Sequence, residues 1–379
     1  MNNRILAGDM WVVHNFGDAN ARYQNFLATG KPRFERFFDS LLLYDEVIVP
    51  TDDFLSVAVL VGVMGVEPIL ALVESGALQI VRTKGFLAYV GNGGGLLGSN
   101  VSRPGGIRLP ISAHLDEAMF EVMIGLNNVD KKAAQRLTDA FMPITREKAL
   151  SIDDKTVRAE IYHNILESDT LRAAFSGGDL SRIPGINPNE VRTYDALSGS
   201  AEDEDQIALL LRLAHATLEI HLAAYADCRD LSTANPIGEL IRAKQQSNGS
   251  LHSGMLTIKE LADIPSTVDW VLEDPKRLNN LVKLRETPAG RGFREWIHEV
   301  VDDKNDEIAK AYVALLRREP RTASLPARLV RFLMTSGWSV LEPISGTAAS
   351  MVDGFVVDRF LAARSPKFFI DQLTRLPKQ

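Results

Sequence analysis

PRFERFFDSLLLYDEVIVP, residues 32–50, opens the stretch that decides the fold, which runs to residue 98. Pro32 can begin a helix, because the first helical position needs no N–H group. The residues after it place apolar side chains at helical spacing, on one face formed by Phe34, Phe37, Phe38, Leu41 and Leu42. The pattern then changes to Val47–Val49 followed by Pro50, which predicts a short buried strand after the helix.

The rest of this stretch also combines helices with strands. Residues 51–53 (Thr-Asp-Asp) can cap a helix over 54–64, and a second short helix follows within 68–76. Apolar segments at 78–81 and 86–90 predict two more strands. This succession indicates a small α/β layer, and its apolar helix is too short to span a bilayer.

The composition is ordinary for a soluble globular protein. The chain has 379 residues, of which 45% are apolar and 24% charged, and its net charge is −7. The negative charge does not favour nucleic acid as the main partner, although a local basic patch could still bind it. The single cysteine, Cys228, cannot form an internal disulfide and suits a reducing compartment. The N-terminal residues lack the long apolar segment of a signal peptide, so we expect a cytoplasmic location without membrane insertion.

The chain is expected to form two domains of different character. Beyond Pro110 the apolar spacing becomes helical and stays so to the C-terminus. We therefore predict an α+β protein, with a small α/β domain over residues 1–110 that carries a glycine-rich loop. A larger all-helical domain is predicted over residues 111–379. A segment rich in glycine, proline and acidic residues near 176–205 predicts an internal boundary there.

A glycine-rich segment follows the third strand of the organising stretch. Gly93, Gly95 and Gly98 match the pattern G-x-G-x-x-G. Such glycines bring N–H groups to the phosphates of a nucleotide when a helix begins at the last of them. Here prolines delay any helix until after residue 110, and no Lys-Ser or Lys-Thr pair follows. The three glycines are therefore either an anion-binding loop or a tight hairpin.

A second candidate for anion binding is a basic turn in the C-terminal half. Arg285, Arg291 and Arg294 flank the turn Thr-Pro-Ala-Gly at 287–290, which leads into the start of a helix. Guanidinium groups and helix N–H groups at such a turn suit a phosphate or a carboxylate. The alternative is a solvated turn whose arginines pair with neighbouring glutamates.

One helix carries a polar stripe on an otherwise apolar surface, formed by Arg212, His215 and Glu219. His215 and Glu219 are four residues apart and can meet on one helix face. They are either a buried pair that fixes the helix register or a proton-transfer site. Both are candidate catalytic residues, as is His298 in a later helix.

The helices also hold glutamate and histidine residues in the order that di-metal carboxylate proteins use. Such a site needs its ligands on inward-facing sides of the helices. Most of these residues lie opposite the apolar face of their helix, namely Glu121, Glu160, His163, Glu295 and His298. We therefore predict no metal at these helices, and the sequence names no cofactor.

Acidic residues follow two strands of the α/β part. An apolar segment near the N-terminus, Ile5–Ala7 with Met10–Val13, predicts the first strand, which ends near Asp9. Asp52 and Asp53 come after Pro50, and Asp116 lies further along the chain. This order of strand, acid, strand and helix resembles that of PIN-like nuclease domains. The resemblance implies a Mg²⁺ site at the strand ends with these four carboxylates as the catalytic candidates, since Mg²⁺ prefers oxygen ligands.

Three functions remain open after this reading. The chain contains no G-x-S-x-G, H-E-x-x-H or C-x-x-C motif. We expect an interaction or regulatory protein that binds a protein partner. The alternatives are a metal-dependent nuclease-like enzyme in the N-terminal part, and a phosphate- or nucleotide-binding protein that uses the glycine loop or the arginine turn.

Overall fold

The structure is a computed structural model, and it divides the chain into two compact units. The first unit comprises Met1–Phe37 and Glu46–Gln245, and the second comprises Phe38–Asp45 and Gln246–Gln379. The structure describes residues 3–12, 19–83, 87–90, 96–99, 115–127, 129–148, 163, 169, 171–172, 204–234, 251–262, 264, 266–300 and 366–375. A parallel sheet together with many helices confirms the predicted α+β class.

The first unit is built on a five-stranded sheet in which every neighbouring pair of strands is parallel. Its strands lie in the order β6-β3-β2-β1-β7. Their bounds are β1 Arg4–Ala7, β2 Glu46–Thr51, β3 Leu78–Thr83, β6 Thr145–Lys148 and β7 Asp230–Ser232. The chain thus adds strands on one side of β1 and then returns to place β7 on its other side.

A separate two-stranded sheet pairs β4 (Leu87–Val90) with β5 (Leu96–Ser99) in antiparallel fashion. The first of these strands was predicted from its apolar residues. The second lies within the glycine-rich segment, where the sequence pattern did not indicate a strand.

The helices of the first unit cover this sheet. Their bounds are α1 Ala19–Thr29, α2 Lys31–Leu43, α3 Leu55–Met64, α4 Val66–Glu74, α5 Leu115–Asn127, α6 Lys131–Phe141 and α7 Glu204–Tyr225, and the residues of α2 from Phe38 onward belong to the second unit. Helix α3 contacts β2, α1 and α5, which explains why it is apolar on every side and almost completely buried. Among the described residues no single helix meets the length and hydropathy of a membrane span, although α3 and α4 meet them together across a 115° bend.

The strands at the centre of the sheet are the ones with apolar runs. Val47, Ile48 and Val49 of β2 are buried, as are Ile5 and Leu6 of β1. Full burial of one such side chain contributes roughly 1.5–3 kcal/mol to folding. The apolar runs of the sequence therefore predicted the central strands correctly.

Two strands lie beyond residue 110, in the part that was predicted to be helical. Strand β6 has the sequence Thr-Arg-Glu-Lys and β7 is only three residues long, so neither has an apolar run that marks it. Long-range contacts hold β6 in place: Arg82 of β3 lies opposite Glu147 and pairs with it at 2.8 Å. The predicted boundary near residue 110, and all but the last two residues of the predicted boundary segment 176–205, lie outside the described residues, so both boundaries stay predictions.

The second unit consists of helices in its described part. Their bounds are α8 Leu251–Ala262, α9 Thr267–Glu273, α10 Leu278–Glu286, α11 Pro288–Val300 and α12 Pro366–Arg375. Phe293 of α11 stacks on Phe369 of α12, with ring centroids 4.6 Å apart, and Trp296 is buried beside them. These aromatic side chains form the core that joins α11 to α12.

Candidate functional site

Polar residues collect at the carboxyl edge of the parallel sheet. Buried polar residues end or follow each of four neighbouring strands: Ser232 and Thr233 at β7, Asp9 at β1, Thr51, Asp52 and Asp53 at β2, and Thr83 at β3. The order of the strands along the chain reverses between β1 and β7. Parallel sheets of this kind bind their ligands outside the carboxyl ends of the strands, at the point of reversal.

Asp9 is the carboxylate at this point of reversal. It lies in a 3-10 turn, Gly8–Met10, directly after β1, and only 1% of it is exposed. Its Oδ2 atom accepts one hydrogen bond from Ser232 Oγ at 2.8 Å and one from Arg36 Nε at 3.0 Å. No described residue donates a hydrogen bond to Oδ1, which is also buried. The side chain of Arg36 is 37% exposed, so it extends from the buried carboxylate to the surface of the protein.

Glu219 of α7 is a second buried carboxylate beside the same strands. Its Oε2 atom accepts a hydrogen bond of 2.6 Å from Thr233 Oγ1. It also lies against the turn that follows β1, because a Cβ atom added to Gly8 would be 2.6 Å from Glu219 Oε1. The consecutive hydroxyl residues Ser232 and Thr233 therefore position two buried carboxylates, one after β1 and one on α7.

His215 lies one helical turn before Glu219, as the predicted polar stripe requires. Its Nε2 atom is 3.8 Å from Glu219 Oε1, and its ring lies 4.9 Å from that of Trp11. Burial, together with the positive charges of Arg212 and Arg33, lowers the pKa of His215 to about 3. At neutral pH the imidazole is thus uncharged. The stripe of Arg212, His215 and Glu219 is buried, as the sequence predicted.

Asp52 and Asp53 also lie at the carboxyl edge, but their carboxylate oxygens already accept hydrogen bonds from backbone N–H groups. Oδ1 of Asp52 accepts the N–H of Asp53 at 3.0 Å. Oδ1 of Asp53 accepts the N–H of Leu55 at the start of α3, and its Oδ2 accepts from Arg22 at 2.9 Å. The N-cap residue of α3 is Phe54 and not one of the residues 51–53 that the sequence suggested, but Asp53 just before it accepts the first N–H of the helix and pairs with Arg22.

The four carboxylates predicted for a Mg²⁺ site are only partly brought together. Asp9, Asp52 and Asp53 follow the adjacent strands β1 and β2. Asp116 is exposed in the first turn of α5. Among the described residues, no group of three or more histidine, cysteine, aspartate or glutamate side chains could hold a metal ion. Of the residues whose order resembles that of a di-metal site, Glu121, His163 and Glu295 are exposed, and Glu160 lies outside the described part of the chain.

The glycine pattern falls on the two-stranded sheet. Gly98 lies in β5, opposite Ala88 of β4, so a strand and not a helix contains the last glycine of the pattern. Gly93 and Gly95 lie outside the described residues. A phosphate site on this segment stays a prediction, and it would lack the helix N-terminus on which such sites rely.

The arginines of the predicted anion site hold the segment 38–45 within the second unit. Arg285 is 2% exposed and donates hydrogen bonds to the carbonyls of Leu41, Tyr44 and Asp45. Arg294 pairs with the carboxylate of Asp45 at 2.9 Å, whereas Arg291 is exposed. Two of the three arginines are therefore engaged with protein groups, and anion binding at this turn stays a prediction.

His298 takes part in the same arrangement. The sequence placed it on the solvated face of its helix, but it is only 7% exposed. Its Nε2 atom lies 2.9 Å from the carbonyl of Leu43, and its ring packs edge-on against Tyr44. The last carbonyls of a helix have no partner within that helix. His298 and Arg285 supply partners to the end of α2, which explains why these polar side chains are buried.

Sequence reasoning missed Ser232, Thr233, Arg36 and Thr51 at the carboxyl edge. Ser232 is 223 positions from the carboxylate that it contacts, and no local pattern marks the strand that carries it. Thr51 did have a signal, because it directly follows an apolar strand run that ends at Pro50. A polar residue directly after an apolar strand is therefore the signal in the sequence that could have identified Thr51 as part of the site.

The chain was also compared with known proteins. No family model, no curated protein and no solved structure matches it. The function of the carboxyl edge therefore has to be inferred from its side chains.

Proposed function

We propose that this protein binds a small polar ligand at the carboxyl edge of the sheet, where β1 and β7 end, and acts as a ligand-responsive regulatory protein. The observation that carries the proposal is the carboxylate of Asp9. It is buried at the point where strand order reverses, and its Oδ1 atom has no donor among the described residues.

An unsatisfied buried acceptor is costly. Leaving a buried hydrogen-bonding atom without a partner destabilises a protein by about 1–3 kcal/mol, and by more when the group is charged. The Oγ1 atom of Thr51, at the end of the adjacent strand, is likewise buried without a described partner. A ligand that offers hydrogen-bond donors would satisfy these atoms. Its binding would therefore remove the cost of leaving them unsatisfied and stabilise the folded protein.

The experiment is a thermal-shift screen with a panel of sugars, polyols, amino acids, nucleosides and their phosphates. A compound that binds only the native state raises the Tm by mass action. Two variants test the site, Asp9→Asn and Thr51→Val, and the control is Asp139→Asn on the exposed face of α6. Thr51→Val removes an unsatisfied hydroxyl without changing its shape, so we expect this variant to fold at least as stably as the wild type.

We expect a compound that stabilises the wild type and Asp139→Asn but has a weaker effect on both site variants. The proposal is overturned if no compound of the panel raises the Tm. It is equally overturned if the same compound stabilises Asp9→Asn and Thr51→Val as strongly as the wild type.

A second candidate function is a Mg²⁺-dependent, nuclease-like activity at the same edge. The observation that favours it is the position of Asp9 and Asp52 after adjacent parallel strands. Mg²⁺ is often held by only one or two carboxylates, with water and substrate phosphates as its other ligands. Stabilisation by Mg²⁺ alone that is lost in Asp9→Asn and in Asp52→Asn would support it. No effect of Mg²⁺ on the Tm, together with no cleavage of DNA or RNA, would exclude it.

A further inference from the structure

We propose that the carboxyl edge binds an uncharged ligand through two neighbouring hydroxyl groups, of which one meets Asp9 and the other meets Thr51. This inference rests on the proposed binding function and names the ligand class of the same site. Two hydroxyl groups on neighbouring carbon atoms, a vicinal diol, occur both in free sugars and in the ribose of nucleosides.

Asp9 and Thr51 occupy neighbouring positions at the carboxyl edge. In the pairing of β1 with β2, Leu6 lies opposite Ile48, so Asp9 is the residue that continues β1 to the level of Thr51. The turn Gly8–Met10, which carries Asp9, contacts both β2 and β7. Neighbouring strands of a sheet lie about 4.8 Å apart. Adjacent hydroxyl groups of one sugar ring can therefore reach both side chains.

Ser232 and Thr51 lie on the same face of the sheet, on either side of β1. Ala7 of β1 is opposite Ser232, and Ile5 is opposite Val47. Side chains two residues apart along a strand point to the same face, so Thr51, four residues after Val47, shares the face of Ser232. Ser232 holds Oδ2 of the carboxylate from the side of β7, and the hydroxyl group of Thr51 lies on the side of β2.

The two protein atoms assigned to the diol are both buried acceptors. Within the described part of the chain, neither Oδ1 of Asp9 nor Oγ1 of Thr51 has a hydrogen-bond partner. A carboxylate oxygen only accepts hydrogen bonds, whereas a threonine hydroxyl group can donate and accept. A ligand hydroxyl group also does both. One hydroxyl group of a diol can therefore donate to Asp9 while its neighbour pairs with Thr51, which leaves both atoms satisfied.

The ion pair of Asp9 with Arg36 favours a ligand without charge. Arg36 Nε lies 3.0 Å from Oδ2, so a positive charge already opposes that of the carboxylate. A ligand cation would add a second positive charge beside the guanidinium, and a ligand anion would meet a carboxylate oxygen. Transfer from water into a buried site also costs a charged group far more than a hydroxyl group. A neutral diol avoids each of these costs.

The experiment measures affinity by isothermal titration calorimetry with matched probes. Methyl β-D-ribofuranoside and adenosine each have one vicinal diol, and their 2-deoxy analogues have none. D-Glucose and D-glucosamine differ by an ammonium group, which glucosamine carries at pH 6.5 in place of a hydroxyl group.

The proteins are the wild type, Asp9→Asn and Thr51→Val. The matched control for Thr51→Val is Thr138→Val, because Thr138 is also buried in the first unit but donates to a carbonyl of its own helix, α6. The Tm of each variant verifies that it is folded. Thr51→Val replaces an unsatisfied hydroxyl group, so it tests the site even if Asp9→Asn does not fold.

We expect a neutral diol to bind the wild type, and the 2-deoxy analogue of the riboside or of adenosine to bind at least about tenfold more weakly than its parent, because a site that hydrogen-bonds a hydroxyl group rejects an analogue without it. Glucosamine should bind at least about tenfold more weakly than the best neutral diol. Asp9→Asn and Thr51→Val should each weaken the diol by about threefold or more, whereas Thr138→Val should not. Tighter binding of adenosine than of the riboside and glucose would assign a nucleoside, and the reverse order would assign a free sugar.

Four outcomes contradict the inference in distinguishable ways. If glucosamine binds as tightly as the neutral diols and depends on Asp9, the ligand is a cation but the proposed binding function stands. If the 2-deoxy analogues bind as tightly as their parents, the diol is wrong. If no probe binds but a panel compound without neighbouring hydroxyl groups raises the Tm and depends on Asp9 and Thr51, the ligand class is wrong and the binding function stands. If no probe binds and the wider panel has no effect on the Tm, both fail.

Discussion

Ser232 donates a hydrogen bond of 2.8 Å to the carboxylate of Asp9, although the two residues are 223 positions apart in the chain. The bond joins the end of β7 to the end of β1, the two strands between which the strand order reverses. The next residue, Thr233, makes the corresponding bond to Glu219. Two consecutive hydroxyl groups thus hold two buried carboxylates, and the stability of the first unit should depend on them.

Ser232→Ala removes one of the two donors to Oδ2 of Asp9. We expect the free energy of unfolding to fall by about 1–3 kcal/mol, because a buried carboxylate loses a hydrogen bond. Urea denaturation measures the change. The matched control is Ser75→Ala, because the exposed Ser75 at the C-cap of α4 donates to the carbonyl of Leu72, and this variant should change stability by less than about 0.5 kcal/mol. Equal effects in the two variants would show that the bond to Asp9 does not stabilise the fold.

Gly8→Ala tests how closely α7 approaches the turn that follows β1. The added Cβ would lie 2.6 Å from Glu219 Oε1 and 2.9 Å from the backbone oxygen of Ser232. We expect a loss of about 1–3 kcal/mol from this overpacking, measured by denaturant unfolding. Gly125→Ala is the control, since nothing lies within 4 Å of its added Cβ and it is in helix α5. Alanine there should stabilise by up to about 1 kcal/mol, and a gain in stability for Gly8→Ala would contradict the described approach.

Arg285→Met tests whether this arginine is structural. The carbonyls of Leu41, Tyr44 and Asp45 would lose their donor, so we expect a loss of about 3 kcal/mol in thermal or chemical unfolding. Arg291→Met, at an exposed position of the same turn, should change stability by less than about 0.5 kcal/mol. If instead both variants keep full stability and both abolish binding of phosphate, the turn is an anion site.

The pH dependence of stability should reveal the neutral state of His215. Its pKa is about 3 in the folded protein and about 6.5 in an unfolded chain. The unfolded state therefore binds the additional proton between these values. The resulting contribution to stability is complete above about pH 6.5 and is lost as the pH falls towards 3, by up to about 1.4 kcal/mol per unit.

His215→Gln should lose this part of the pH dependence. Unfolding by urea at pH 7.5, 6.0 and 5.0 compares the variant with the wild type, so that the titration of all other groups is common to both proteins. A smaller decrease in stability on acidification is expected for the variant. An identical decrease would mean that His215 is protonated in the folded state at these pH values.

Cys228 should react slowly with thiol reagents in the native protein. Burial raises the pKa of its thiol to about 12, and the nearby Arg4 only partly opposes this effect. Because the thiolate is the reactive form, we expect alkylation by iodoacetamide at pH 8 to be at least about tenfold slower than in urea. Mass spectrometry follows the reaction at this single cysteine, which provides its own control in the unfolded chain. Equal native and denatured rates would indicate an accessible thiolate.

The sheet and its covering helix could be predicted from local patterns. Val47–Val49 and Leu78–Val81 are apolar runs bounded by polar or turn residues, and both are buried strands in the structure. The apolar helix after Thr51 is likewise present as α3. Strands β6 and β7 could not be recognised in this way, because their pairing to β3 and β1 depends on residues far away in the chain.

The candidate site could be predicted only in part. Asp9, Asp52, His215 and Glu219 were identified because acids after strands and a polar stripe on an apolar helix are visible in the sequence. Their partners were not, because hydrogen bonds such as that from Ser232 join residues that only folding brings together. For Arg285 and Arg294 the sequence suggested a solvated turn or an anion site, whereas the structure buries both against segment 38–45.

The sequence by itself thus determined the fold class, the central strands and the helix that covers them, because burial of apolar side chains follows the local period of strand or helix. Only the tertiary structure decided which polar groups meet at the carboxyl edge and which arginines are buried. The physical reason is that a hydrogen bond or an ion pair depends on two side chains at a specific distance, and local periodicity contains no information about a partner more than two hundred residues away.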